Sequence, residues 1–382
     1  MTAVEILREL VAIPTPSIVS NFPLLERVTR IIQPKGWRVQ LLPYTDNDGI
    51  AKANLIACPA SAPTDDRPID LAFVCHTDTV PFAANWTTAL DLQILDGLAR
   101  GCGACDVKGA LACFLAALDN LPPAQINPNT ALILTADEEI GCKGMDRLLA
   151  ATTRRIRSAI VSEPTSLRLG LAGKGYGLAR VTIRGLEAHS AFPRDGLSAI
   201  SLATRFISRI ETDLQQSATG VDPLFDPPVT TVNIGTIQGG SAKNIIAGEC
   251  SFLVEWRPIP AEPPQAFFNA VEALASNLCA EQPRAHIQVQ PLRAEPGFAP
   301  SGNGDGPLQQ RLATIFASAG QASRAPTGIS FGSEASRLAR IADEVIVIGP
   351  GNMRTAHSDR ECVPLADLDE WTEALCALLT LP

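Results

Sequence analysis

The chain has 382 residues, 46% of them hydrophobic and 19% charged, with a formal net charge of -9 at pH 7. That length corresponds to about two domains, and the hydrophobic share suffices for ordinary cores. An acidic chain with no basic block is a poor partner for nucleic acid or an anionic membrane surface.

The opening MTAVEILREL places Glu5, Arg8 and Glu9 at helical spacing and lacks the basic-then-apolar plan of a signal peptide. No apolar run reaches the length of a membrane span. Helices are expected over 2–12 and 22–33. "IDLAFVCHTDT" reads as a buried strand with a polar end, "VKGALACFLAALDNL" as a helix with a wide apolar face, and "TALILTADEE" and "IRSAIVSEP" as two further buried strands. Helices alternating with apolar strands imply an α/β domain with a mostly parallel sheet and helices on both faces. The pattern then changes. "GLARVTIRG" alternates with period two, a helix is expected over 197–214, and a Pro-rich loop, "GVDPLFDPP", leads to strands "VTTVNIGTIQGG" and "GECSFLVEWRP". A helix over 264–281 and the strand "HIQVQPL" complete a ferredoxin-like α+β order. This predicts a domain inserted at 172–293 within a catalytic domain formed by 1–171 and 294–382. The α/β pattern resumes with a helix over 307–319, the strand "DEVIVIGPG" and a helix over 365–380. The ten cysteines are scattered, often in apolar segments, as expected of reduced thiols in a cytoplasmic protein. Cys102 and Cys105 form the only close pair, and no second pair lies nearby to complete a zinc site.

One stretch poses an electrostatic problem. "ALILTADEEIG" ends an apolar strand in Asp137, Glu138 and Glu139, and desolvating neighbouring carboxylates costs several kcal/mol each without a compensating cation (roughly,). His76, Glu138 and Glu163 all end expected strands, where ligands of parallel sheets gather. If the strand continues past His76, Asp78 projects to the same side and can clamp the imidazole. Taken singly, each residue has a plain alternative. His76 reads as a satisfied strand-end histidine, Asp106 as a helix N-cap, Glu163 as a salt-bridged carboxylate and His357 as a loop histidine. Together, His76, Asp106, Glu138, Glu139, Glu163 and His357 offer imidazoles and hard oxygens suited to zinc, cobalt or manganese. Four carboxylates exceed what one zinc needs and suit a hydrolytic metal pair.

The motifs "HTDTVP", "GACDVKG", "TADEEIG", "SEPT" and "TAHSDRE", in this order, resemble those of the dinuclear-zinc amidohydrolases. That family includes acetylornithine deacetylase, succinyl-diaminopimelate desuccinylase, aminoacylase and glutamate carboxypeptidases. The resemblance implies that His76 and Glu163 bind one metal, Glu139 and His357 the other, and Asp106 bridges them. It also implies that Asp78 orients His76 and that Glu138 is the general base. His189, in "GLEAHSAFP", would reach the active site of a second subunit through a homodimer formed by the inserted domain, and help stabilise the oxyanion. Asn244 and Arg257 match positions that contact substrate, whereas His286 matches none. The chain is most similar to the acetylornithine deacetylase branch, which acts in arginine synthesis. There Glu334, in "FGSEA", is a candidate reader of a substrate amine, or else a surface carboxylate opening a helix. Acetylcitrulline and succinyl-diaminopimelate are the alternative substrates. An exopeptidase or a non-catalytic acyl-amino-acid binder are the other classes.

Overall fold

The computed structural model describes residues 1–63, 65, 67–214, 220–300, 305–320 and 324–380. Helix α1 (Ala3–Val11) starts at a capping box: the Thr2 hydroxyl accepts the Glu5 N–H at 3.2 Å, and the Glu5 carboxylate accepts the Thr2 N–H at 2.8 Å. Its Ile6, Leu7, Leu10 and Val11 recur at helical spacing and are buried. Helix α2 (Phe22–Ile32) leads into the antiparallel pair β1 (Trp37–Thr45) and β2 (Ala51–Pro59). Next come β3 (Ile69–His76), the small hairpin β4 (Gln93–Leu95) and β5 (Leu98–Arg100), and helix α3 (Gly109–Asn120). Strand β6 (Thr130–Thr135), helix α4 (Lys143–Ala151), β7 (Ile156–Val161) and β8 (Gly170–Gly173) follow. The middle of the chain forms β9 (Tyr176–Arg184), α5 (Ala199–Arg209), β10 (Thr231–Gly239), β11 (Glu249–Arg257), α6 (Pro264–Glu281) and β12 (His286–Glu295). The last part contributes α7 (Pro307–Ser318), β13 (Thr327–Ile329), α8 (Ala335–Leu338), β14 (Ala342–Val347), β15 (Cys362–Pro364) and α9 (Leu365–Leu379).

The chain divides into two compact units. One comprises Met1–Leu171, Pro300–Thr327 and Ser333–Pro382; the other comprises Ala172–Ala299 and Gly328–Gly332. The main sheet has the order β1-β2-β6-β3-β7-β14-β8-β13. Its centre, β6, β3, β7 and β14, is parallel, while β1 and β2 pair antiparallel on one side and β8 on the other. Leu71, Phe73 and Cys75 of β3 join the large core shared with α1, α3 and α9, and Ala72 and Val74, facing the other way, are equally buried. Burial on both faces is why these strands read as continuous apolar runs. Helix α4 packs against β2 and β6, and α8 against β14. Helix α3 is buried from Gly109 to Leu118 between α1 and α9, so it is a core helix rather than a one-faced one.

The register aligns the strand ends. His76 pairs with Thr135, Val74 with Val161, and Val347 with Val161. Four parallel strands therefore stop at nearly one level, and the segments after them share one rim of the sheet.

The second unit is a four-stranded antiparallel sheet of order β10-β11-β9-β12. Val181 and Ile183 of β9 and Phe252 and Val254 of β11 pack with Phe206 of α5 and Val271 of α6 in one core. The order β9-α5-β10-β11-α6-β12 is ferredoxin-like. Helix α5 stops at Arg209, and Ile210–Leu214 form a wider turn, so the helix is shorter than its apolar spacing implied. The unit continues past 293 because β12 runs to Glu295 and Phe298 bridges to Gly173. All ten cysteines are free thiols. Among the described residues, no helix is long and apolar enough to cross a membrane.

Candidate metal centre

The first unit brings six of the sequence-derived candidates to the aligned rim. His76 is the last residue of β3. Glu138 and Glu139 lie just past β6, and Glu163 just past β7. His357 follows β14 in a turn where it adopts φ +57°. Asp106 comes from the loop between β5 and α3, and its peptide bond to Val107 is cis.

Asp106 is the hub. Its Oδ1 lies 3.1 Å from His76 Nε2, and its Oδ2 lies 3.2 Å from His357 Nε2. His357 Nε2 also lies 3.2 Å from Glu139. Ligand atoms of His76, Asp106 and Glu163 fall within 4.8 Å of one another, as do those of Asp106, Glu139 and His357. Asp106 thus turns one oxygen toward each imidazole. Glu138 belongs to neither group among the described residues, and its Oε1 accepts the Cys142 thiol at 3.3 Å.

The role expected of Asp78 is changed by the structure. The main-chain oxygen of Asp78, at 3.0 Å, engages His76 Nδ1, while the carboxylate stays 3.7 Å away. The reason is that β3 ends at His76, so the strand alternation that would aim Asp78 at the ring does not continue. The Asp78 carboxylate instead accepts the N–H groups of Glu138, at 3.0 Å, and Glu139, at 3.2 Å, and the Ser17 hydroxyl at 2.7 Å. It clamps the turn that carries both glutamates.

That turn has a second anchor, which the sequence did not reveal. Asp137 is fully buried at φ +60°, a backbone region that Asp tolerates better than most residues. Lys52, equally buried in β2, donates to Asp137 Oδ1 and to the Ser17 carbonyl, and Tyr44 Oη donates to Asp137 Oδ2 at 2.8 Å. The turn then closes on itself, with the N–H of Lys143 on the Asp137 carbonyl and that of Gly144 on the Ala136 carbonyl, both at 3.0 Å. Gly144 is needed there, since a Cβ would stand 2.1 Å from the Ala136 oxygen.

The electrostatics describe a site short of positive charge. Burial pushes Glu163 well above the carboxylate range, and the Asp106 charge adds to it. Burial raises Glu138 to about 8, with Glu139, Glu334 and Asp78 adding repulsion and His76 opposing. Glu139 is also raised by burial, against the pull of the His357 hydrogen bond. Burial would raise Asp106 too, but both imidazoles outweigh it and hold the carboxyl low. Burial alone would lower His76, yet Asp106, Glu138 and Glu163 keep it well above its ordinary value. Hydrogen bonds to Asp106 and Glu139 lift His357 to about 10. The protein's own groups thus leave three glutamates that resist ionisation beside imidazoles that hold protons. Divalent cations would invert both tendencies. The donors fit such a pair: oxygens and imidazoles in two groups, joined by one carboxylate with an oxygen for each. His76, Asp106 and Glu163 could hold one ion, and Asp106, Glu139 and His357 the other.

Glu334 is not a surface carboxylate. It is 1% exposed, precedes the short helix α8, and is raised to about 7, first by burial. Thr135 lies near enough to favour the ionised form, but Oε1 makes no hydrogen bond of acceptable geometry. Three candidates lie in the second unit. His189 is exposed, and its Nδ1 accepts the Ala191 N–H at 3.1 Å. The adjoining Ser190 N–H donates to the Asn244 carbonyl, which brings these two candidate loops together. Arg257 is ion-paired with Glu255 at 2.8 Å and lies over the Tyr176 ring. His286 is exposed at the start of β12.

Residues 72–381 match the model of the family described as peptidase family M20/M25/M40. The acetylornithine deacetylase of Myxococcus xanthus is 40% identical over 366 residues, spanning 95% of this chain and 92% of that protein. The acetylornithine deacetylase of Proteus mirabilis (strain HI4320) is 28% identical over 388 residues, spanning 99% and 96%. Among solved structures, a tripeptidase from Staphylococcus aureus aligns with a TM-score of 0.78 at 21% identity over 99% of this chain and 96% of that one, a likeness of fold. With a family match over most of its length and a full-length relative at 40% identity, the chain belongs to peptidase family M20/M25/M40 and is a metal-dependent amidohydrolase.

Proposed function

We propose that this chain hydrolyses the amide of N2-acetyl-L-ornithine to L-ornithine and acetate, a step of arginine synthesis. The observation that carries the hydrolytic reading is the pair of ligand groups sharing Asp106, with Glu138 outside both of them. The choice of substrate is supported by the near-full-length likeness to the Myxococcus xanthus protein of that name. Bound here, two divalent ions, zinc foremost and cobalt or manganese as alternatives, would polarise the amide carbonyl as Lewis acids. Glu138 takes a proton from the attacking water and passes it to the leaving nitrogen. The Asp78 carboxylate keeps the Glu138 backbone fixed while its side chain exchanges that proton.

In this reading Glu334 receives the ornithine side-chain ammonium, and its buried, unsatisfied Oε1 supports that role. Arg257 offers a guanidinium fork suited to the substrate carboxylate, with Asn244 a further contact. His189 stabilises the oxyanion from the second unit, acting as a lid and as the interface of a homodimer. A single-chain mass at assay concentrations would remove the cross-subunit part of this role.

The test compares turnover of acetylornithine, acetylcitrulline and succinyl-diaminopimelate with zinc or cobalt added. Acetylornithine should give the highest kcat/KM. A higher value for another of the three moves the substrate assignment, and turnover of dipeptides alone makes the protein an exopeptidase. Glu334→Gln should lower kcat/KM for acetylornithine roughly 10–100-fold, the worth of one charge-assisted hydrogen bond, and spare neutral N-acetyl amino acids. Equal losses on both would refute amine recognition by Glu334.

A further inference from the structure

Glu361 lies four residues after His357 and belongs to neither candidate ligand group among the described residues. Its side chain is 3% exposed. Oε2 accepts the Gly103 N–H, and Oε1 accepts the N–H groups of Cys105 and Asp106, each at 3.0 Å. One carboxylate therefore satisfies three peptide donors in the loop that presents Asp106. Cross-links on either side join the same two segments. Cys362 of β15 pairs with Arg100 of β5, and the Cys105 thiol reaches the Asn352 carbonyl at 3.6 Å. The loop bearing the shared carboxylate and the segment bearing His357, separated by about 250 residues of sequence, are thereby locked in register through Glu361.

We propose that Glu361 is a positioning residue that sets the spacing of Asp106 against His357 and so governs the affinity of the ion held by Asp106, Glu139 and His357. The inference rests on the two-ion reading. The physical basis is that a carboxylate accepts at both oxygens, whereas an amide accepts at one and offers a donor at the other. Glu361→Gln preserves shape but turns an NH2 group toward at least one peptide N–H. Groups behind metal ligands commonly change metal affinity by about 10–100-fold when replaced.

The experiment titrates metal-free wild type, Glu361→Gln and Glu361→Asp with cobalt, following visible absorption and bound metal by equilibrium dialysis, with thermal unfolding of each metal-free protein alongside. The expected result is two equivalents bound by every form. In Glu361→Gln the first should bind as in wild type and the second about 10–100-fold more weakly, with turnover restored by excess cobalt and partial recovery of affinity in Glu361→Asp. Wild-type affinity for both equivalents in Glu361→Gln overturns the inference, as does equal weakening of both together with a lowered unfolding temperature, the mark of a merely structural role. Fewer than two equivalents bound by wild type overturns the two-ion reading itself, which separates the two failures. Hydrogen exchange of the unaltered protein provides a check that needs no variant. The amides of Gly103, Cys105 and Asp106 should be strongly protected, and fast exchange there contradicts the inference.

Discussion

Replacing Glu138 with glutamine should lower kcat by roughly 10²–10⁴-fold, the usual worth of a positioned acid–base group, while leaving both metal ions bound. The two halves of this expectation have separate grounds. Glu138 lies outside both ligand groups, whereas its neighbour Glu139 approaches His357 at 3.2 Å. Glutamine cannot take up the proton, yet the Asp78 carboxylate holds the residue through its backbone N–H, so the turn retains its shape. Burial holds Glu138 at about 8 in the metal-free protein. Adjacent cations would favour its ionised form, as the base role proposed for it requires near neutrality. Metal analysis beside steady-state kinetics checks both halves. Loss of one metal equivalent in Glu138→Gln would exchange the roles of the two glutamates.

The second large effect is on stability. Lys52→Met should destabilise the protein by about 3–5 kcal/mol, because it strands the Asp137 charge in the interior. Asp137 has no exposure and Lys52 only 1%, so water can replace neither partner. The Tyr44 hydroxyl remains on Asp137, but a neutral donor offsets only part of the lost cation. The unfolding midpoint should drop by roughly 6–10 °C. Turnover should fall with it, since Asp137 at φ +60° sets where Glu138 and Glu139 emerge. Combining Lys52→Met with Asp137→Asn should recover most of the stability, as removal of a buried pair costs less than removal of one member. A single variant as stable as wild type would mean that the ion pair does not anchor the turn.

The parts of the site legible in the sequence were those marked by a change of pattern. His76, Glu138, Glu139 and Glu163 stand where apolar runs stop, and parallel strands buried on both faces produce such runs. Asp106 and His357 carry no periodic signal of their own, but Asp106 follows a Gly-rich approach and His357 comes after a buried strand and a Gly-Pro-Gly turn. Lys52 was illegible for a physical reason: a lone lysine in a strand reads as solvent-facing, and its burial depends on a turn some 85 residues later. The Asp78 carboxylate stands 3.7 Å from His76 Nδ1 instead of hydrogen-bonding to it, because strand alternation stops at His76. Glu361 stood within a recognised motif, but its partners are backbone N–H groups, which side-chain identities do not disclose. Strands β4, β5, β8, β13 and β15 have only three or four residues and carry little pattern, and β1 is an edge strand with mostly exposed residues. Strand β2 is buried and interior, yet Lys52 and Asn54 interrupt its apolar run.

The most direct test of the central claim is acetate release from acetylornithine by protein stripped of metal and then titrated with zinc or cobalt. Activity should be negligible in the stripped protein, rise with added metal to a plateau at two equivalents per chain, and yield acetate and ornithine in equal amounts. Undiminished turnover in protein freed of metal, or a fully loaded protein that releases acid from no N-acyl amino acid, would contradict the account.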